Sequence, residues 1–316
     1  MIRLNEEQII KIFQRHLNKN FVSEDVETFK IGKTLCVVKL DTLVESTDVP
    51  PKIKLQDVAR KSIVACVSDF AAKGVKPLYG IISVTIPRKF TKSKIQSLAK
   101  GFGLASKEFG IKILGGDTNE GKELVIQVFL IGTSGSIVPR RTARTNDIIV
   151  TSGPFGYSSA GLKILLENKK SESKFSKKAT DTVFKPKPRL RFGLQNRNYF
   201  TSSMDSSDGL STTLHEMAKQ SKKKFVITNL PTNLDLLEFA RKNKLDPLDL
   251  VFNGGEEYEI VATVNPAMLQ KIKNNAKKQK ISLFEIGFVT AGKGVEYWQG
   301  NKILRIKNLG WMHFSN

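Results

Sequence analysis

The strongest constraint on the fold is the alternation of β-branched apolar runs with segments of helical periodicity. Residues 77–87 (PLYGIISVTIP) and 123–133 (ELVIQVFLIGT) have the composition of strands, and 34–40 (TLCVVKL) predicts a further buried strand. Between the first two runs, Ser93 to Glu108 has helical spacing, and Val58 to Ala72 repeats apolar residues at intervals of three and four. Strands and helices that alternate in this way predict an α/β or α+β fold.

The length and one polar segment predict two domains. At 316 residues the chain is longer than most single domains, and the sequence at 138–146 (VPRRTARTN) is polar and irregular. We therefore predict an N-terminal α/β domain over residues 1–140 and a C-terminal α/β domain over residues 141–316. The Lys- and Ser-rich stretch 168–188 has few apolar residues, so we predict an exposed loop there.

The formal net charge of +21 attracts polyanions, but the lysines are scattered and are not interleaved with aromatic residues. Three interpretations stay open: solvated lysine faces, steering of small anionic substrates, and binding of nucleic acid. No apolar run approaches the roughly 20 residues that span a bilayer, so we expect no membrane insertion. Only Cys36 and Cys66 are present, both within apolar runs, and we expect a reducing, cytoplasmic location without a disulfide.

Acidic residues recur at the ends of apolar segments. Asp41 closes a predicted strand, Asp69 lies at the end of a predicted helix, and Asp117 follows a short strand and two glycines. Asp205 and Asp208 lie in MDSSDGL, where a turn leads into a helix. Each aspartate alone is typical of a helix cap or a turn. Together, their oxygen ligands predict a site for Mg²⁺ bound to phosphate.

Glycine-rich turns are the second feature that could serve a ligand. Residues 153–162 (GPFGYSSAGL) and 252–260 (FNGGEEYEI) place glycines where the backbone can approach a bound molecule, although ordinary turns have the same composition. The chain has no P-loop at Gly32-Lys33-Thr34, because Glu27 occupies the position of the required first glycine.

Seven segments, in one order along nearly the whole chain, resemble the thiamine-monophosphate kinases of the aminoimidazole-ribonucleotide-synthetase-like superfamily. They are DTLVES, SDFAAKG, GGDT, GPFGYSSAGL, MDSSDGL, GGEEYEI and the C-terminal GWMHF. The resemblance implies a two-domain fold whose N-terminal domain forms a shared β-barrel in a homodimer, with strands from 34–40, 77–87 and 123–133. It also implies ATP-dependent phosphorylation of thiamine monophosphate to thiamine diphosphate. The transfer would be direct and in line, assisted by several Mg²⁺ ions and without a protein nucleophile.

The resemblance also assigns site residues, motif by motif. The implied Mg²⁺ ligands are Asp25, Asp41, Asp69, Asp117, Asp205 and Asp208. The implied ATP contacts are Gly116, Arg140 and Ser207, with Arg141 beside Arg140 and able to reach the same phosphate. The implied substrate residues are Glu256, Trp311 and Asp48, of which the last stands where the family has a histidine.

Two departures from the family pattern bear on the site. Lys39 and Leu40 stand where the family has hydroxyl residues before its strand-end aspartate, which removes hydroxyl ligands of the metal. Asp48-Val49 stands in place of a His-Phe pair, which removes a substrate-contacting histidine. Two alternatives stay open. One is another ATP-using enzyme of the superfamily, similar to aminoimidazole ribonucleotide synthetase, and the other is a basic nucleic-acid-binding protein.

Overall fold

The computed structural model describes residues 4–17 and 21–314. The elements of the first half are α1 Glu6–Leu17, β1 Glu27–Ile31, β2 Thr34–Val44, α2 Glu45–Asp48, α3 Leu55–Ala72, β3 Pro77–Pro87, α4 Lys92–Phe109, β4 Lys112–Gly121 and β5 Val125–Ser134. Those of the second half are β6 Ile148–Thr151, α5 Tyr157–Glu167, α6 Ser173–Phe184, α7 Leu190–Asn196, β7 Phe200–Ser206, α8 Leu210–Ser221, β8 Lys224–Ile227, α9 Leu234–Lys242, α10 Pro247–Asn253, β9 Glu259–Val264, α11 Pro266–Lys278, β10 Phe284–Thr290, β11 Gly294–Gln299 and β12 Lys302–Arg305.

The first sheet has the strand order β1-β2-β5-β3-β4, in which β3 and β4 are parallel and the other neighbours are antiparallel. Ile63, Val67 and Phe70 of α3 share a buried core with Ile126 and Val128 of β5, so α3 covers one face of this sheet. The alternation of side chains along each strand sends the intervening residues to the opposite face. Apolar residues of that outward face, among them Phe29, Leu40 and Ile81, are exposed in the single chain.

The second sheet has the order β12-β11-β8-β10-β6-β9-β7, in which β8 and β11 are parallel and the other neighbours are antiparallel. Helices of the second half bury their apolar faces against it, with Leu210 and Leu214 of α8 in one core with Phe225, Val261 and Ile286. Two mixed sheets with packed helices confirm the predicted α/β or α+β class.

Helix α3 lies between the two halves. It packs against β2 and β5 of the first sheet and against β7 and β9 of the second. Most of its residues are buried, because its sequence is apolar on nearly every face. Among the described residues, no helix, α3 included, is long and apolar enough to cross a membrane. Two charged residues of α3, Lys61 and Asp69, are buried as a result of this packing.

The prediction of an exposed loop over residues 168–188 is wrong, because α6 occupies most of this stretch. Phe175, Ala179 and Val183 recur at four-residue spacing and are buried. The ring of Phe175 stacks on Phe239 with their centroids 4.8 Å apart. Lysines on the solvent side lower the average hydrophobicity of the segment, so its composition does not reveal the narrow apolar stripe of this helix.

The two sheets are joined by residues 135–147, which lie between the end of β5 and the start of β6. The predicted domain boundary after residue 140 falls inside this connection. Its exact position stays a prediction, since the connection packs on both halves: Val138 N donates to Lys73 O, and Ser203 N donates to Pro139 O.

Candidate active site

Three buried carboxylates meet between the two sheets. Asp69 lies in the last turn of α3, Asp205 lies in β7, and Asp25 precedes β1. One oxygen from each lies within 4.8 Å of the others. Tertiary structure thus brings together three of the predicted Mg²⁺ ligands, which we call the carboxylate cluster.

The cluster has the electrostatic character of a cation site. Burial, together with the charge of Asp25, raises the pKa of Asp205 to about 7. Burial also raises the pKa of Asp69 well above its ordinary range; Lys39 opposes this effect and Asp205 adds to it. Carboxylates this close either share a proton or bind a cation. Because carboxylate oxygens are ligands that Mg²⁺ prefers, the donor set fits this ion.

Asp25 is held from behind by two cations. Lys73 Nζ, fully buried, lies 2.8 Å from Asp25 Oδ2 and 2.8 Å from Glu24 Oε2. Arg140 Nε donates to Asp25 Oδ1 at 2.8 Å. Burial alone would raise the pKa of Asp25, but Lys73 and Arg140 outweigh it and lower the pKa. Asp25 is therefore ionised and fixed at the back of the cluster.

The guanidinium of Arg140, a predicted ATP contact, is buried against Asp25. The backbone N–H of Arg140 donates to Glu24 Oε1 at 3.1 Å. The neighbouring Arg141 is exposed, and its Nη1 lies 3.2 Å from Glu24 Oε1. Of the two arginines that the sequence allowed, Arg141 has the more accessible guanidinium, and the ATP contact of Arg140 stays a prediction.

Strand β2 adds Lys39 and Asp41 to this region. The prediction that Asp41 closes this strand is wrong, because the strand continues to Val44 and Asp41 lies within it. Lys39 Nζ lies 2.9 Å from Asp69 Oδ2 and 3.7 Å from Asp41 Oδ1. Burial acts to lower the pKa of Lys39, but Asp69 and Asp41 outweigh it and raise the pKa well above its ordinary range. The ammonium is therefore charged.

Gly116 and Asp117 are not brought to the cluster within one chain. Parallel pairing with β3 extends β4 through both residues, which the sequence placed after a strand. Across the four strands, the register aligns Asp41 with Val128, Ile82 and Gly116, and aligned residues share one face of a sheet. Because successive residues of a strand alternate between faces, Asp117 faces the side opposite to Asp41. Three strand spacings, about 14 Å, also separate β2 from β4. The roles of Gly116 and Asp117 stay predictions.

The turn at 207–209, between β7 and α8, carries Ser207 and Asp208 at the edge of the cluster. Trp311 N donates to Asp208 O at 2.8 Å, and Tyr258 N donates to Ser206 O at 3.0 Å. Burial raises the pKa of Asp208. The side chain of Trp311 is 55% exposed, so it is no buried packing anchor. The turn thus lies between the C-terminal tail and the loop after α10.

Lys61 joins two of the predicted substrate residues and was missed by the sequence analysis. Its buried ammonium lies 2.7 Å from Glu256 Oε1 and donates to Asp48 O at 2.8 Å. Glu256 has a φ of +64°, a backbone conformation that is uncommon outside glycine. The Asp48 carboxylate accepts from Val44 N at 2.7 Å. The signal that could have identified Lys61 is its position as a lysine within the mainly apolar segment that forms α3.

The glycine-rich turn at 153–162 binds a carboxyl group of the chain itself, that of Glu257. Glu257 Oε1 accepts from Gly156 N at 2.7 Å and from Ser158 N at 2.9 Å, at the start of α5. Burial raises the pKa of Glu257 to about 8. Glu257 also follows Glu256 directly in the chain. This contact therefore anchors the loop that carries a predicted substrate residue.

Comparisons with known families match both halves of the chain. Residues 23–134 match the family described as AIR synthase related protein, N-terminal domain. Residues 144–299 match the AIR synthase related protein, C-terminal domain. The matched segments contain the carboxylate cluster and the 207–209 turn, and the C-terminal tail follows them.

Individual relatives of this chain are thiamine-monophosphate kinases. The thiamine-monophosphate kinase of Nitrosopumilus maritimus is 58% identical over 99% of this chain and 100% of its own length. That of Pyrococcus horikoshii is 31% identical over 100% of this chain and 98% of its own length. A solved structure of AaThiL complexed with AMPPCP and TMP has a TM-score of 0.87 and 26% identity, and the match covers 99% of each chain. The two halves of the chain are thus AIR synthase related domains, and the chain belongs to the thiamine-monophosphate kinase family.

Proposed function

We propose that this chain transfers the γ-phosphoryl group of ATP to thiamine monophosphate, producing thiamine diphosphate and ADP. The observation that carries the proposal is the buried cluster of Asp25, Asp69 and Asp205, whose oxygens lie within 4.8 Å of one another. The 0.87 TM-score to a relative complexed with AMPPCP and TMP supports both substrates.

The reaction requires little covalent chemistry from the protein. An oxygen of the phosphate of thiamine monophosphate forms a bond to the γ-phosphorus, the bond from that phosphorus to the ADP oxygen breaks, and ADP leaves with the electron pair. The attacking oxygen is already anionic near neutral pH, so no protein nucleophile is needed and positioning and charge dominate.

Asp69 and Asp205, with Asp25 as the third carboxylate of the cluster, are the residues that would hold Mg²⁺. When bound, Mg²⁺ supplies positive charge beside the phosphates of the two anionic substrates. Lys73 and Arg140 keep Asp25 ionised, which preserves the negative charge that attracts the ion. Burial of the cluster excludes water and strengthens these interactions.

We assign the thiamine end of the substrate to Trp311, Glu256 and the end of α2 at Asp48. The exposed indole of Trp311 can stack on a flat cationic ring. Glu256 offers a carboxylate near the same turn, with Lys61 holding its side chain. The hydrogen bond from Trp311 N to Asp208 O connects this end of the site to the phosphate end.

We further propose that two copies of the chain pair through the outward face of the first sheet. Apolar residues on this face are between 44% and 65% exposed in the single chain: Phe29, Ile31, Leu40, Tyr79 and Ile81. A contiguous apolar surface of this kind is typical of a protein interface. Asp117 faces the same side, so its predicted role at a metal depends on the dimer. A cytoplasmic location also stays a prediction.

The test is the formation of thiamine diphosphate by the purified chain with ATP and Mg²⁺. We expect ADP release to require thiamine monophosphate and to equal the thiamine diphosphate formed, with both lost in Asp205→Asn. Release of ADP that is independent of thiamine monophosphate, without thiamine diphosphate, would contradict the proposal and favour another ATP-using enzyme of the superfamily.

A further inference from the structure

Lys39 extends from β2 into the site beside the carboxylate cluster. Its ammonium lies 2.9 Å from Asp69 Oδ2 and 3.7 Å from Asp41 Oδ1. The side chain is only 21% exposed, so solvent screens these contacts less than it would on an open surface. Lys39 therefore occupies space where a cation bound by Asp69 would lie.

The charges around the cluster are unequal. The carboxylates Glu24 and Asp25 are engaged by three cations, Lys73, Arg140 and Arg141. Among the described residues, Lys39 is paired with Asp69 and Asp41, and Asp205 completes this side of the cluster. When ionised, these three carboxylates and one ammonium leave two negative charges, which a single divalent ion would neutralise.

We propose that the Lys39 ammonium is a tethered cation of the metal site, that is, a positive charge fixed to the chain in place of a bound ion. It takes one cation position at Asp69 and Asp41 and so reduces the number or the affinity of the divalent ions that the cluster binds. The inference rests on the Mg²⁺ part of the proposed function. A salt bridge that only stabilises the fold would have no effect on metal binding. A tethered cation competes with divalent ions for the same oxygens.

The inference is tested by counting Mn²⁺ ions, as a spectroscopic stand-in for Mg²⁺, without nucleotide or thiamine monophosphate. Electron paramagnetic resonance of free Mn²⁺ gives the number and affinity of bound ions. Lys39→Met removes the charge with little change in side-chain length. We expect it to add one Mn²⁺ site or to tighten binding roughly tenfold, the size expected when one nearby positive charge is removed.

Two variants are matched controls. Lys39→Arg keeps the charge and should bind Mn²⁺ as the wild type does. Lys33→Met removes a lysine from the exposed turn of the same hairpin, so it changes the net charge equally but away from the cluster. An equal gain in Lys33→Met would show that the effect comes from net charge, and would overturn the inference.

Thermal melting with and without Mn²⁺ separates a metal-site role from a folding role. A tethered cation predicts that Mn²⁺ raises the Tm of Lys39→Met more than that of the wild type. If Mn²⁺ number, affinity and Tm gain are unchanged in Lys39→Met, the inference is wrong. If that variant does not fold, Lys39→Gln carries the same expectation. A chain that passes these tests but makes no thiamine diphosphate would contradict only the proposed function.

Discussion

The ammonium of Lys61 lies 2.7 Å from the carboxylate of Glu256, although 195 residues separate them along the chain. Lys61 belongs to α3, which packs on both sheets, whereas Glu256 lies in the loop after α10. The ion pair therefore holds a predicted substrate residue of the second half in position from the first half.

Lys61→Met should weaken the binding of thiamine monophosphate. Glu256 would lose its ionic partner and its fixed orientation, so we expect KM for thiamine monophosphate to rise several-fold while KM for ATP changes little. The lost charged hydrogen bonds should also reduce the free energy of unfolding by about 2 kcal/mol. Lys54→Met, an exposed site just before α3, is the control. A lower Tm with unchanged KM values would make Lys61 purely structural.

Asparagine substitutions should distinguish the role of the carboxylate cluster in metal binding from that of Asp117. Asp69→Asn and Asp205→Asn keep side-chain size and remove a ligand charge, so we expect kcat to fall by about 100-fold or more and nucleotide-free Mn²⁺ binding to weaken. Asp117→Asn should also lower turnover if Asp117 binds metal in the dimer. It should leave nucleotide-free Mn²⁺ binding at the cluster unchanged, because Asp117 faces the other side of the sheet. Wild-type turnover by Asp205→Asn would refute the cluster as the metal site.

Trp311→Ala should raise KM for thiamine monophosphate several-fold to tens-fold, with little change in KM for ATP. The physical reason is the loss of a cation–π contact, which contributes about 0.5–2 kcal/mol. Trp298→Ala, the other tryptophan, lies on β11 and packs edge-on against Phe288, so it controls for the loss of an indole. If the KM values of both substrates rise equally, or if neither changes, Trp311 has a structural role and does not contact thiamine monophosphate.

Glu257→Gln should flatten the pH dependence of stability. Burial raises the pKa of Glu257 from its ordinary value of 4.5 to about 8. Between these values the unfolded chain loses the proton that the folded chain keeps, so stability falls as pH rises, by up to about 1.4 kcal/mol per pH unit. Glutamine can still accept from Gly156 N and Ser158 N but does not titrate. Tm measured across this window should therefore decline less in Glu257→Gln than in the wild type or in the exposed control Glu172→Gln.

Ile81→Glu should prevent dimerisation. Ile81 lies on the outward face of β3, and a carboxylate there would be buried without a partner in the proposed interface. Light scattering at micromolar concentration should give a dimer for the wild type and a monomer for Ile81→Glu. Ile95→Glu makes the same change at a similarly exposed position on α4, which covers the other face. A monomeric wild type would contradict the proposed dimer.

Local patterns predicted the elements well where the apolar signal was dense. The strand predicted at 77–87 is β3, Pro77–Pro87, and the helix predicted from Ser93 to Glu108 is α4, Lys92–Phe109. The prediction of a loop failed at α6, where lysines surround an apolar stripe. Strand ends were also missed, since β2 and β4 continue through Asp41 and Asp117 by pairing with neighbouring strands.

The sequence by itself determined the mixed α/β class, the family resemblance and the aspartates that could bind a metal, because spacing, propensity and motif order are properties of the chain. Only the tertiary structure decided which of those aspartates meet. Asp25, Asp69 and Asp205 come from three separate segments, and Asp117 from a fourth that faces away. Tertiary structure also decided the partners of Lys39 and Lys61. The physical reason is that charge–charge contacts depend on distance in space, and packing of α3 between two sheets sets those distances.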